Sequence, residues 1–181
     1  MIASHIVLAG FMGTGKTDVG RRLARDLGRA FVDTDALIES SAGRSVAAIF
    51  ASEGEAAFRG RERAAVEEAC ALAEAVIAVG GGALLDPENR RRLFAVGPVI
   101  CLRATPAEIL RRVGDARDRP LLNGDATASA SERLARIEIL LAARAPAYAL
   151  ATHAVDTDGL TPDEVARRVR ALLEPPPRGA A

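Results

Sequence analysis

Gly10-Phe11-Met12-Gly13-Thr14-Gly15-Lys16-Thr17 fits the spacing G-x4-G-K-[ST] in full. Glycines let a backbone curl so that successive N–H groups point at phosphate oxygens, and the helix that follows adds its positive end. On this reading Gly13, Thr14 and Gly15 cradle the phosphates of a nucleotide. Lys16 reaches the β- and γ-phosphates, and Thr17 offers its hydroxyl to Mg²⁺. Lys16 is the one lysine among 24 basic residues, and it occupies the slot where a compact ammonium fits better than a guanidinium. Asp18 comes next. A carboxylate there repels phosphate unless it turns away and leaves its backbone N–H to serve.

A second pair of residues suits phosphoryl chemistry. Asp33 and Asp35 follow the short apolar run Ala30-Phe31-Val32. On an extended strand a spacing of two puts both carboxylates on one side. One could hold the Mg²⁺ shell while the other meets an acceptor hydroxyl. The same pair also reads as a solvated helix cap. A phosphate loop names a nucleotide rather than a function. The guanine motif Asn-Lys-x-Asp of GTPase switches is excluded, because lysine occurs only at position 16, and 181 residues are too few for a large ATPase motor.

The elements that must carry these groups alternate. Ile6-Val7-Leu8-Ala9 reads as a strand closed by Gly10. Residues 16–27 read as a helix with Val19, Leu23 and Leu27 at four-residue spacing and Gly28 as its stop. Residues 36–74 are helix-rich, broken at Gly43 and Gly54. Residues 75–79 form a third strand running into Gly80-Gly81-Gly82. Asp86 and Pro87 open a helix, 99–102 form a fourth strand, and Thr105-Pro106-Ala107-Glu108 has the form of a capping box. A polar stretch covers 114–128, a long helix about 131–144, and a short fifth strand His153–Val155. Thr161 opens the last helix, to about Glu174. Continuous apolar strands alternating with helices predict an α/β fold with a parallel sheet covered on both faces. The site then lies beyond the carboxyl ends of the strands, where Gly10, Asp33, Asp35 and Gly80 all fall. A single domain over 1–174 and a disordered tail at 175–181 are expected.

Composition narrows the class. Hydrophobic residues make up 49% but aromatics only 3%, so the core must be aliphatic. Acids and bases balance at 24 each, without the basic excess expected of a nucleic-acid or anionic-membrane binder. Cys70 and Cys101 are too few and too far apart for a zinc site and read as buried small apolar residues. His5 and His153 fall in or beside strands and read as structural. The N-terminus lacks a basic region, and no apolar run reaches the ~18 residues of a membrane span. A cytoplasmic protein is expected.

With these residues in place, the chain resembles the shikimate kinases. The resemblance rests on the phosphate loop, Asp33-Thr34-Asp35, Gly54-Glu55 with Phe58-Arg59, Gly80-Gly81-Gly82, Arg119-Pro120-Leu121-Leu122, and Arg144 with Tyr148, in order and approximate spacing from about residue 5 to 170. It implies a three-layer α/β/α P-loop kinase fold with a five-stranded parallel sheet in the order 2-3-1-4-5. It implies transfer of the γ-phosphoryl of ATP to the 3-hydroxyl of shikimate with Mg²⁺, by a monomer. It implies a substrate-binding helical region at about 34–62, with Arg59 and Arg144 gripping the substrate carboxylate, which planar donors suit. By resemblance Asp35 bonds the substrate hydroxyls and Asp33 organises the Mg²⁺ waters. Gly80, Gly81 and Gly82 offer backbone N–H groups. The resemblance makes 114–128 a lid carrying Arg119 over the phosphates, and Arg112 an adenine-stacking residue, with Arg111 as its rival. Residues 155–162 match the loop that brushes adenine.

Read singly, Arg59 among Arg61, Glu62 and Arg63 is a solvated charged face, and three glycines are a loop. Asp18 and Val79 depart from the family's usual residues. A kinase of another small hydroxy acid such as gluconate shares the scaffold. A nucleotide-binding regulator without catalysis is the reading from another class, favoured by Asp18 alone. A nucleoside monophosphate kinase would carry an Asp-Gly-x-Pro-Arg element, which is missing.

Overall fold

The computed structural model describes residues 4–114 and 129–174. The expected lid, Arg119 and the expected tail lie outside the described residues, apart from Gly114 at the lid's start.

Five parallel strands form one sheet in the order β2-β3-β1-β4-β5: β1 (His5–Gly10), β2 (Ala30–Asp33), β3 (Ala75–Ala78), β4 (Val99–Arg103) and β5 (His153–Asp156). The central strand β1 pairs Val7 with Ile77 of β3 on one side and with Val99 of β4 on the other. All six of its residues are buried. Its alternation sorts the core into two layers. Ile6 and Leu8 face one side with Val19, Leu23, Val165 and Val169. Val7 and Ala9 face the other with Val66, Leu84, Leu93 and Ala147. Helices α1 (Lys16–Leu27) and α7 (Pro162–Leu173) therefore cover one face. Helices α3 (Val46–Cys70), α4 (Pro87–Val96) and α6 (Ala130–Tyr148) cover the second, so the three-layer order inferred above holds. Each fully buried Leu or Ile contributes about 1.5–3 kcal/mol.

Local signals account for most boundaries. Gly28 ends α1 at φ 64°, its N–H bonding back to the carbonyls of Ala24 and Arg25. Helix α2 (Thr34–Ala42) ends at Gly43 with φ 66°. Gly54, at φ 80° and ψ 177°, kinks α3 where a break was predicted. Thr161 and Glu164 form the full reciprocal capping box. Thr105 does not: it caps α5 (Pro106–Val113) by accepting from the Glu108 N–H, but the Glu108 carboxylate turns to Arg111 and Arg112 instead. Helix α6 starts at a second box, Ser129 with Glu132, and runs through Pro146 to Tyr148, four residues beyond the predicted end. That extra turn carries Tyr148 to the site.

Candidate active site

The phosphate loop follows β1 directly. Gly10 turns at φ 134°, and a Cβ there would strike the Leu102 carbonyl of β4. Lys16 Nζ donates to the carbonyls of Gly10 and Phe11, at 2.9 Å each. These bonds fold the side chain over the loop's hollow. Thr14 is buried and its hydroxyl donates to the Phe11 carbonyl at 2.7 Å, so its side chain braces the loop from behind. Gly13 and Gly15 both have positive φ, 79° and 89°. Asp18 lies in the first turn of α1, exposed, and its backbone carbonyl accepts from Arg22 Nη1.

Asp33 and Asp35 meet the loop, but not by strand alternation. β2 ends at Asp33, which caps α2: its Oδ1 accepts from the Asp35 N–H at 3.1 Å. Its Oδ2 accepts from the Thr17 hydroxyl at 2.8 Å. Helix cap and metal-shell candidate are thus one residue. Asp35 stands in the first turn of α2, and its Oδ1 is buried without a hydrogen-bond partner among the described residues. Burial, helped by Asp33, lifts its pKa from 3.8 to about 6, against the pull of Lys16.

The three glycines after β3 form the floor of the cleft. A Cβ on Gly80 would lie 2.9 Å from Asp35 Oδ1 and 3.0 Å from Glu62 Oε1. On Gly81 it would lie 3.0 Å from Arg144 Nη1, and on Gly82 2.6 Å from Arg59 Nη1. Each missing side chain makes room for one predicted binding group. The Gly80 N–H is itself taken, donating to the buried Thr34 hydroxyl at 3.2 Å.

The two guanidiniums differ. Arg59 is paired, Nη1 with Glu62 at 2.8 Å and Nη2 with Glu55 at 3.0 Å. Arg144 is 5% exposed and lies 4.9 Å from the Phe11 ring centre. Among the described residues it makes no ion pair. Tyr148 donates its hydroxyl to the Gly81 carbonyl at 2.6 Å, and burial pushes its pKa to about 12.

Sequence reasoning assigned no role to Glu62. It is 1% exposed, its Oε1 has no hydrogen-bond partner among the described residues, and burial raises its pKa against the opposing charge of Arg59. Its signal was a carboxylate three residues after Arg59 on one helix face, masked by the charged residues around it.

At the other end of the cleft, Arg112 bonds the Gly13 carbonyl and Thr157, while Arg111 is exposed and held by Glu108. The structure thus brings Arg112, not Arg111, onto the phosphate loop. His5 and His153 lie outside the cleft, and Cys70 and Cys101 are free thiols. Val79 is buried core. The whole forms one cleft of about 1250 Å³, lined by the phosphate loop, Asp33, Asp35, Arg59, Glu62, the three glycines, Arg112 and Arg144. Among the described residues no cluster of three or more His, Cys, Asp or Glu could hold a metal. No helix among them is long and apolar enough to cross a membrane.

Residues 12–174 match the family described as shikimate kinase. The shikimate kinase of Caldanaerobacter subterraneus subsp. tengcongensis is 46% identical over 171 residues, covering 94% of this chain and 96% of that one. A solved shikimate kinase from Acinetobacter baumannii, in complex with shikimate, superposes with a TM-score of 0.87 at 34% identity, covering 94% of this chain and 92% of that one. A gluconokinase from Sinorhizobium meliloti 1021 reaches a TM-score of 0.59 at 19% identity, covering 95% of this chain and 92% of that one, a likeness of fold alone.

Proposed function

The chain belongs to the shikimate kinase family, and on that premise we propose that this cleft transfers the γ-phosphoryl group of ATP to the 3-hydroxyl of shikimate. The enzyme class is an ATP-dependent phosphotransferase. The observation that carries the substrate assignment is the glycine floor, which sets Asp35, Glu62, Arg144 and Arg59 on one wall facing the phosphate loop.

In this reading the ATP phosphates lie in the curl of Gly13–Gly15, under Lys16. Shikimate lies on Gly80–Gly82. Its carboxylate binds Arg144, a buried cation without an ion pair among the described residues, and the near edge of Arg59. The 3-hydroxyl donates to Asp35. As the oxygen attacks, its proton passes to the Asp35 carboxylate, the O–P bond forms, and the bond from Pγ to the β-phosphate oxygen breaks to release ADP. Such transfer depends on positioning and charge rather than a strong base, so a carboxylate with a pKa of about 6 suffices. Thr17 and Asp33 supply the hard oxygen donors that Mg²⁺ prefers, and with nucleotide oxygens and waters they would hold it. Bound there, Mg²⁺ would neutralise phosphate charge. Arg119 completes the reading as the cation over the transferring group, on the resemblance alone. Arg112 supplies a face for adenine. We further propose that the enzyme acts as a cytoplasmic monomer.

The test is ADP release with ATP and Mg²⁺ in the presence of shikimate, gluconate, AMP or no acceptor. Stimulation by shikimate alone supports the reading. Stimulation by gluconate, or ATP binding without release under any condition, would replace it.

A further inference from the structure

Arg112 is held in a way its neighbour is not. Nε donates to Glu108 Oε1 at 2.7 Å, Nη1 to Thr157 Oγ1 at 2.9 Å and to the Gly13 carbonyl at 3.3 Å, and Nη2 to the Thr157 carbonyl at 2.7 Å. A guanidinium makes its hydrogen bonds in its own plane. Four such bonds leave little edge for a ligand, while the flat faces remain for stacking on a planar ring. Three separate pieces meet at this plane: α5 through Glu108, the phosphate loop through Gly13, and the loop after β5 through Thr157.

The acceptors are themselves fixed. Thr157 is 1% exposed, and both its hydroxyl and its N–H donate to the Arg103 carbonyl, at 2.9 and 2.8 Å. Asp158, next in the chain, accepts from the Thr105 N–H at the head of α5. Glu108 also accepts two bonds from Arg111, and these with the one from Arg112 bring its pKa to about 2. It therefore stays an anionic acceptor at any working pH.

We propose that Glu108 and Thr157 are positioning residues that lock the Arg112 guanidinium as a fixed platform, and so set how tightly the base half of the nucleotide is held while leaving the grip on its phosphates unchanged. The proposal rests on the reading that Arg112 faces the base. It differs from that reading in assigning the strength of the contact to two side chains that act through Arg112: Glu108, and Thr157, which is 1% exposed although it lies in the loop expected to brush adenine. A loose arginine must lose rotamer freedom when a ring stacks on it, whereas a locked one has already lost it.

The experiment compares the binding of ATP and of inorganic tripolyphosphate, each with Mg²⁺, to the full chain by calorimetry. Glu108→Ala and Thr157→Val are each expected to weaken ATP about threefold to tenfold and tripolyphosphate less than twofold. The KM for ATP should rise and the KM for shikimate should not. Thr157→Ser, which keeps the hydroxyl, should restore ATP affinity. Equal weakening of both ligands would show a distorted phosphate loop and overturn the proposal, as would unchanged ATP affinity. The Glu108 side chain is 16% exposed but belongs to none of the apolar core clusters, so its variant reports even if Thr157→Val fails to fold. Arg112→Ala separates the two levels. If it leaves the ratio of ATP to tripolyphosphate affinity unchanged, the base-facing reading itself fails. If it alone lowers that ratio, only the positioning role fails.

Discussion

Gly82→Ala is a small change with a large expected effect on one substrate only. The backbone at Gly82 has φ −104° and ψ −6°, which alanine adopts freely, so the turn (Ala83–Leu85) it opens should form as before. The new methyl would lie 2.6 Å from Arg59 Nη1 and 2.7 Å from Nη2, and ordinary contact begins near 3.4 Å. The guanidinium must therefore retreat by about 0.8 Å. Its bond to Glu62 is 2.8 Å long, and a shift of that size breaks or badly bends it. A charge-assisted bond is worth about 1.5–3 kcal/mol, and a misplacement near 1 Å can cost about a hundredfold. The KM for shikimate should rise about 10- to 100-fold, with the KM for ATP within twofold and the melting temperature lower by about 3–12 °C, the shift that losing the Glu62 bond implies. Steady-state kinetics with each substrate varied in turn give the first two values and calorimetry the third. Gly60→Ala is the matched control: it neighbours Arg59, has nothing within 4 Å of its Cβ position, and should leave both KM values alone. A KM for shikimate within twofold of the parent in folded Gly82→Ala would refute the claim that the floor positions Arg59.

Three further outcomes are expected. The folded-state pKa of Asp35 is about 6 against 3.8 ordinarily, so the folded chain holds this proton more tightly than the unfolded one. Ionising it costs nothing below about pH 4 and reaches its full cost, about 3 kcal/mol, above about pH 6. Asp35→Asn should therefore abolish turnover yet raise the melting temperature of the nucleotide-free protein at pH 8 by several degrees, with the gap closing near pH 4; a lower melting temperature at pH 8 would contradict the burial argument. Asp18→Thr removes an exposed carboxylate beside the phosphate loop, a repulsion of about 0.5–1 kcal/mol across water, so ATP should bind about two- to fivefold tighter, with the gain shrinking in 0.5 M salt; weaker binding would mean Asp18 assists the nucleotide. Tyr148→Phe leaves the Gly81 carbonyl without its donor and should lower stability by about 1–2 kcal/mol in urea unfolding, a loss whose absence would show that the bond contributes nothing.

Which parts were legible from the sequence follows from how local their causes are. The five strands and their order rested on apolar runs, on glycine and proline punctuation and on the resemblance, and they hold. The phosphate loop is a contiguous motif and needed no tertiary information. Asp33 and Asp35 were placed at the site for the wrong geometric reason: an aspartate at a strand end also makes a good N-cap, and the helix began two residues sooner than strand alternation assumed. Arg59 and Arg144 lie 85 positions apart, and nothing local tells a clamp from a surface arginine. Only the fold shows that Arg144 approaches Gly81 and Arg59 the adjacent Gly82. Glu62 stayed hidden because its burial depends on α3 packing toward Gly80, a contact no pattern within α3 contains.

The free site already carries the imprint of its substrate in its unbalanced charges. A buried guanidinium without an anion is costly, and so are buried carboxylate oxygens without donors. Among the described residues Arg144 is the first, softened by the Phe11 ring and the reach of Glu62 and Tyr148. Asp35 Oδ1 and Glu62 Oε1 are the second, both facing the Gly80 position. Pairing them directly would have been the cheaper solution for stability, and Arg59 shows that the fold can make such pairs. The separation is explained if one ligand relieves both imbalances at once, giving a carboxylate to Arg144 and hydroxyl donors to the two acids. A hydroxy acid does this, whereas a bare polyol would leave the cation unmatched and a simple carboxylate would leave the acids unmatched. A cyclohexane carboxylate without hydroxyls should therefore compete weakly with shikimate, and a cyclic triol without the acid should compete no better. If either alone matched the affinity of shikimate, the two imbalances would not be joint determinants of specificity.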